Sequence, residues 1–184
     1  MEYKSIIAQI LEGDKSAERL LFNTLALDLM HFCRRYSKDN HQAKDLFQDC
    51  FIRIFEKLPL YKSDRGEFRP WFFTVCRNVI LGNLNHSMKK INIQLVETLP
   101  DDLLIEDEIN SISDQELLDC IRELPSRYQT IINLHIFDKL KHSEIAKLLD
   151  IPVSTSRSQY MRAKKSLKSI LIKKIPDLYE RKLV

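Results

Sequence analysis

Residues 141–169, KHSEIAKLLDIPVSTSRSQYMRAKKSLKS, read as a short helix, a tight turn and a second, basic helix, a shape that can insert into a groove of DNA. Ser143 is a good N-cap for the first helix, and Ile145, Ala146, Leu148 and Leu149 share one face of it. The run from Asp150 to Pro152 breaks that helix, and Ser154 or Thr155 supplies a side-chain oxygen to cap the next. In the second helix Ser156, Tyr160, Ala163, Leu167 and Leu171 recur at helical spacing and define an inward stripe. The outward face then comprises Thr155, Arg157, Ser158, Gln159, Met161, Arg162 and Lys165.

Short polar side chains at a helix start, followed by Arg and Lys, suit a helix whose first residues meet base edges while later cations meet phosphates. The competing reading is a solvated amphipathic helix with a charged outer face. The turn placement, with Ala146 small enough to let the two helices cross closely, favours helix-turn-helix DNA binding. The net charge of +3 says little. Its distribution says more: from Ile91 to Cys120 there are nine acids and no Lys or Arg, whereas Arg157, Arg162, Lys164, Lys165, Lys168, Lys173, Lys174, Arg181 and Lys182 face only Asp177 and Glu180 beyond Thr155.

Three glycines in 184 residues, periodic apolar segments and no alternating Val/Ile/Thr run imply an all-α protein. Residues 91–112 lack a sustained apolar stripe and read as an acidic linker between two small helical domains, residues 1–90 and 113–184. In the second domain, Ser113-x-x-Glu116 and Ser126-x-x-Gln129 are capping-box patterns that open two further helices, giving four helices of which the last pair is the reader. Cys33, Cys50, Cys76 and Cys120 lie far apart in sequence among apolar positions, as buried reduced thiols of a cytoplasmic protein would. No export signal and no apolar run of membrane-spanning length is present.

In the N-terminal half Ile6, Ile7, Ile10 and Leu11 precede a helix stop at Glu12-Gly13-Asp14, and Ala17, Leu20, Leu21, Leu25 and Leu29 restart the stripe. Residues 43–58 form the next helix, with Leu46, Phe47, Cys50, Phe51, Ile54, Phe55 and Leu58 inward. Asp45, Gln48, Asp49, Ile52 and Arg53 face the other way, and Ile52 among them hints at a partner surface. The polar loop at 60–69 leads into Pro70-Trp71-Phe72-Phe73, with Pro70 in a first helical turn. It brings Tyr61, Phe68, Trp71, Phe72 and Phe73 near Lys62, Arg65, Arg69 and Arg77. Aromatic rings interleaved with cations are what single-stranded nucleic acid needs, although Phe and Trp also fill cores.

Asp45-Leu46-Phe47-Gln48-Asp49-Cys50-Phe51, then Arg65-Gly66-Glu67-Phe68-Arg69-Pro70-Trp71-Phe72 with Arg77-Asn78, resembles the second conserved region of bacterial sigma factors of the extracytoplasmic-function group. Leu124-Pro125 through Leu167 resembles their fourth. The resemblance implies a dissociable initiation subunit of RNA polymerase that directs the core enzyme to promoters and helps open the strands. It implies that Asp45, Gln48, Asp49 and Arg53 bind the largest core subunit. It also implies that Tyr61, Lys62, Arg65, Phe68, Arg69, Trp71, Arg77 and Asn78 meet the minus-ten element, capturing non-template bases as the promoter opens. The second helix would read the minus-thirty-five duplex: Arg157 at guanine, Gln159 at adenine, Thr155 and Ser158 at bases or phosphate, and Arg162, Lys164 and Lys165 at phosphates. The sequence departs from the common family pattern at Ser156, often Val, and at Gln159, often Arg. An anti-sigma factor is a further implied partner.

The histidines, His31, His41, His86, His135 and His142, have no metal-ligand spacing, and no P-loop, G-x-S-x-G or H-E-x-x-H pattern occurs. The sequence therefore predicts no catalysis, metal or cofactor. Two other readings remain open at this stage: a dimeric helix-turn-helix regulator that never touches polymerase, and a polymerase-binding decoy.

Overall fold

The computed structural model describes residues 3–88 and 112–176, and helices joined by turns account for them, with no strand among the described residues. The all-α expectation holds. The chain divides into two compact units, Met1–Ser87 and Met88–Val184. Apart from Ile112, the expected linker lies outside the described residues.

The first unit contains α1 (Tyr3–Leu11), α2 (Lys15–Tyr36), α3 (Asn40–Lys57), a single 3₁₀ turn (Leu58–Leu60) and α4 (Phe68–Met88). Helix α1 stops where Gly13 takes a positive φ of 94°, and the Asp14 carboxylate then accepts the Ser16 backbone N–H at 2.8 Å to cap α2. Asp39 does the same for α3 by accepting from the Gln42 N–H at 2.8 Å. Along α2, residues Ala17, Leu21, Leu25, Leu29, Phe32, Cys33 and Tyr36 are buried at three- and four-residue spacing. They meet Leu46, Cys50, Phe51 and Ile54 of α3, and Phe68, Phe72, Val75, Cys76 and Ile80 of α4, while Ile6, Ile7 and Ile10 of α1 complete the core.

Three cysteines distant in sequence converge in this core. The Cys50 thiol donates to the Cys76 carbonyl at 3.7 Å. Thiol contact with Cys50, then burial, pushes the Cys33 and Cys76 pKa values up, so both stay protonated. All four cysteines are free and buried, as the sequence implied.

The second unit contains α5 (Asp114–Glu123), α6 (Ser126–Ile132), a π-helical turn (Asn133–Phe137) continuing it, α7 (His142–Leu149) and α8 (Val153–Lys174). The Ser113 capping box forms: Ser113 Oγ accepts the Glu116 N–H at 3.3 Å and a Glu116 carboxylate oxygen accepts the Ser113 N–H at 3.1 Å. The one expected at Ser126 does not. Helix α6 starts directly after Pro125, and the Gln129 side chain is buried rather than folded back over the first turn. Helix α8 is the spine, packing against α5, α6 and α7 through Tyr160, Ala163, Leu167 and Leu171. An ion pair from Lys174 to Glu123 at 2.5 Å ties the last turn of α8 to the last turn of α5, but both ends are exposed and it adds little.

Gly82 lies in the exposed part of α4, and a Cβ added there meets nothing within 4 Å. Gly82→Ala should therefore raise stability by about 0.5–1 kcal/mol through helix propensity, read as a higher urea midpoint at unchanged m-value.

Candidate nucleic-acid interface and docking groove

Burial of Leu46, Cys50 and Ile54 turns the opposite side of α3 outward, placing Asp45, Gln48, Asp49, Ile52 and Arg53 together as expected. Asp45 accepts from His41 Nδ1 at 3.1 Å, and Arg53 donates to Glu56 at 2.8 Å. Asp49 accepts from Asn83 Nδ2 of α4 at 3.1 Å, a bridge across the two helices. Between them runs a groove of about 410 Å³, whose lining includes Asp49, Ile52, Arg53, Val79, Gly82 and Asn83. Ile52 is 52% exposed, an apolar contact among charged ones. Asn78 also lines this groove, so it sits beside Asp49, Ile52 and Arg53 as well as on the helix that follows the aromatic loop. Asn83 was not singled out from sequence; its only signal is the four-residue spacing from Val79 on the groove side of α4.

The loop before α4 is shaped by Gly66, whose φ of 149° lies where side chains are disfavoured. Its carbonyl accepts the Tyr61 hydroxyl at 2.9 Å, and the Arg65 N–H donates to the Lys62 carbonyl at 3.0 Å. Lys62 and Arg65 are exposed at the turn. Phe68 corrects the expectation of a base-stacking ring. It is 2% exposed, with Tyr3, Tyr61, Trp71 and Phe72 ring centroids 5.0, 5.3, 5.6 and 6.0 Å away, so its faces are already occupied. Tyr61 and Trp71 are half-buried at the edge of that cluster. Arg69 is exposed but donates to Asp28 of α2 at 2.6 Å; Arg77 is half-buried and Asn78 exposed.

In the second unit α7 begins at His142, one residue before the expected cap, and the Glu144 carboxylate accepts the Lys141 N–H at 2.7 Å. Asp150 closes α7 in the left-handed region at φ 54°, a conformation Asp tolerates better than most residues, and the Ile151 N–H returns to the Ala146 carbonyl at 3.0 Å. Helix α8 starts at Val153, earlier than the expected Ser154 or Thr155 cap, because Pro152 holds the extended conformation just before it. The earlier start leaves Val153 and Ser154 exposed beside Arg157, a contribution that a later helix start concealed.

Ser156 is fully buried, as expected of the inward stripe. Gln159 was expected outward and is 7% exposed. It stands three residues after Ser156 and four before Ala163, which puts it on the same inner face, so its amide is not presented for base reading. Arg157 and Lys165 are exposed; Thr155, Ser158, Arg162 and Lys164 are half-buried at the margins. Ser158 donates to the Thr155 carbonyl at 3.1 Å, and the Lys164 ammonium lies 5.5 Å from the Tyr160 ring centroid. Behind this face His142 Nδ1 is 2.9 Å from Ser156 Oγ, and its ring stacks on His135 at 4.4 Å and 20°. Burial first, then His135 and Arg157, hold the His142 pKa below the ordinary imidazole value.

Among the described residues no cluster of three His, Cys, Asp or Glu side chains could hold a metal ion, and no helix is long and apolar enough to cross a membrane.

An exposed acid-amide face on α3 in one unit and a helix-turn-helix in the other coincide with two family models. The Sigma-70 region 2 model matches residues 21–87 and the Sigma-70 region 4 model matches residues 114–167. The chain is 25% identical over 187 residues to the ECF RNA polymerase sigma factor SigW of Bacillus subtilis (strain 168), covering 93% of this chain and 97% of the relative. It is 25% identical over 158 residues to SigM of the same organism, covering 82% and 92%. Its fold is similar to that of the sigma factor RpoE from Bartonella quintana, solved with the anti-sigma factor NepR, at a TM-score of 0.53 and 18% identity over 83% of this chain and 95% of that one. CnrH, solved with the cytosolic domain of CnrY, matches at 0.51 and 18%, covering 92% and 96%. The chain belongs to the sigma-70 family of RNA polymerase sigma factors, in its extracytoplasmic-function group.

Gly66→Ala should cost about 1–3 kcal/mol, because the new Cβ has room but its backbone conformation is strained. The drop should appear in thermal unfolding of the full chain.

Proposed function

We propose that this sigma factor docks on core RNA polymerase through the α3 face and its groove, reads an upstream duplex element with α8, and helps open the promoter with the loop and start of α4. The observation that carries the reading is the α3 face: Asp45, Gln48 and Asp49 stay exposed with Ile52 in a groove, a surface that a regulator acting on DNA alone does not need. In this reading residues 1–90 grip polymerase and the minus-ten element, residues 113–184 hold the minus-thirty-five element, and 91–112 connect them.

Within the first domain the exposed loop cations Lys62 and Arg65, the half-buried Tyr61, Trp71 and Arg77, and the exposed Asn78 are the groups available to a melted strand. Phe68 shapes their platform from beneath, and Arg69 contributes through its ion pair with Asp28. In the second domain Arg157 is the base reader. Val153 offers an apolar contact to a thymine methyl, while Thr155, Ser158, Arg162, Lys164 and Lys165 serve the backbone and flanking bases. The protein supplies binding and positioning, not catalysis, and works where polymerase does, in the cytoplasm. An anti-sigma factor as a regulating partner is supported by the two structural neighbours, RpoE with NepR and CnrH with the CnrY cytosolic domain.

The test is in vitro transcription with sigma-free core polymerase on a promoter-fragment library; start-site-specific RNA is expected, and its absence defeats the reading. Asp49→Arg breaks the Asn83 bridge and reverses a groove charge, so core binding measured by co-sedimentation should weaken while the helical circular dichroism is retained. Arg157→Ala should cost about 1–3 kcal/mol of discrimination at one upstream base pair, read by selection from randomised duplexes, with other positions unchanged.

A further inference from the structure

Gly82 breaks a local rule without a structural reason. Glycine is a poor helix former because it surrenders the most backbone freedom, and it is needed inside a helix only where φ turns positive or where a neighbour leaves no room for a Cβ. Neither condition holds here. Gly82 lies within α4, the positive-φ glycines are Gly13 and Gly66, and a Cβ added at Gly82 meets nothing within 4 Å. An isolated glycine of this kind in a helix points to a use outside the fold.

The groove beside α3 supplies that use. Its α4 wall is one stripe, since Val75, Asn78, Val79, Gly82 and Asn83 follow at the three- and four-residue spacing of a single helix face. Gly82 is the member of that stripe with no side chain, so the wall is notched between Val79 and Asn83. From α3 come Ile52, 52% exposed, and Asp49, whose carboxylate accepts from Asn83 Nδ2 at 3.1 Å. The lining is therefore apolar at Ile52 and Val79. It is acidic at Asp49, where a neutral amide occupies only part of the acceptor capacity of the carboxylate.

We propose that Gly82 is a specificity-determining residue of the docking surface: the notch it leaves in α4 receives one side chain of core RNA polymerase. That side chain is apolar along its length, against Ile52 and Val79, and carries a hydrogen-bond donor at its tip for Asp49.

This role rests on the α3 face being the docking surface and adds α4 to it. A partner that merely covered α3 would have no use for a gap in the neighbouring helix. A side chain seated between two helices is desolvated on several sides, and interfaces concentrate their binding energy in such seats. Stability given up at position 82 is then exchanged for binding, as happens at functional positions generally.

Gly82→Ala and Gly82→Leu fill the notch in two steps while improving helix propensity. Each full-length variant is titrated against sigma-free core polymerase, and the same preparations are unfolded in urea. Gly82→Leu should bind core at least about tenfold more weakly, as expected for one blocked anchor contact, and Gly82→Ala should lose less. The urea midpoints of both should stand at or above wild type. Affinity and stability then move in opposite directions, whereas replacing a glycine that the fold itself needs lowers both. Wild-type or tighter binding by Gly82→Leu overturns the proposal, because the partner then covers the groove without entering it. A urea midpoint below wild type in Gly82→Leu overturns it as well, since the new side chain would be meeting the protein rather than the open groove. Asp49→Arg, measured alongside, tells the notch from the docking surface. If Asp49→Arg weakens binding and Gly82→Leu does not, only the notch falls; if neither does, the docking surface lies elsewhere. A loss in Gly82→Leu alone supports the seat and overturns Asp49 as the group that meets its tip.

Discussion

Burial of one stripe of α8 governs what the second unit can present. Ser156, Gln159, Tyr160, Ala163, Leu167 and Leu171 go inward against α5, α6 and α7, and every other side chain of that helix takes its place by difference. A 22-residue helix gains most of its stability from packing rather than from intrinsic propensity, so its rotation about its own axis is set by that stripe. The exposure of Arg157 is thus a consequence of the apolar core several residues away. So is the removal of Gln159 from the exposed face that carries Arg157.

The first unit repeats this logic with a different product. Helix α2, also 22 residues long, buries Leu21, Leu25 and Leu29 completely, and α3 lies against it with Cys50 and Ile54 turned inward. The outward face of α3 is then an acid, an amide, an acid, an apolar residue and a cation in close succession. That face mixes apolar and polar groups, and the groove beside Ile52 gives it relief as well as chemistry. The aromatic residues after Leu60 divide by depth. Phe68 and Phe72 are core, whereas Tyr61 and Trp71 remain at its margin, where a ring can be both packed and accessible.

Much of this was legible from residue order. The stop at Gly13, the Ser113 capping box and the break at Asp150 to Pro152 are local signals acting through the backbone within a few residues, and each appears in the structure, whereas the Asp39 cap starts α3 at Asn40, three residues before the expected start at 43. The two family motifs were legible as ordered runs of residue types, the first on α3 and on the loop and start of α4, the second running through α6, α7 and α8. Less legible were features that depend on a second element. Asn83 is identified by Asp49, 34 residues earlier, Arg69 is tied to Asp28, and three cysteines from separate helices share one core. The Ser126 pattern failed because local capping competed with burial of Gln129, and burial won.

The amino-acid order alone determined that the chain is helical, where most helices begin and end, and which faces are apolar, because periodicity and capping act over one or two turns. Tertiary packing alone decided the exact phase of α8, the enclosure of Phe68 and the meeting of His142 with Ser156. Those outcomes turn on which neighbouring helix covers a given face, and that is a property of contacts between residues far apart along the chain.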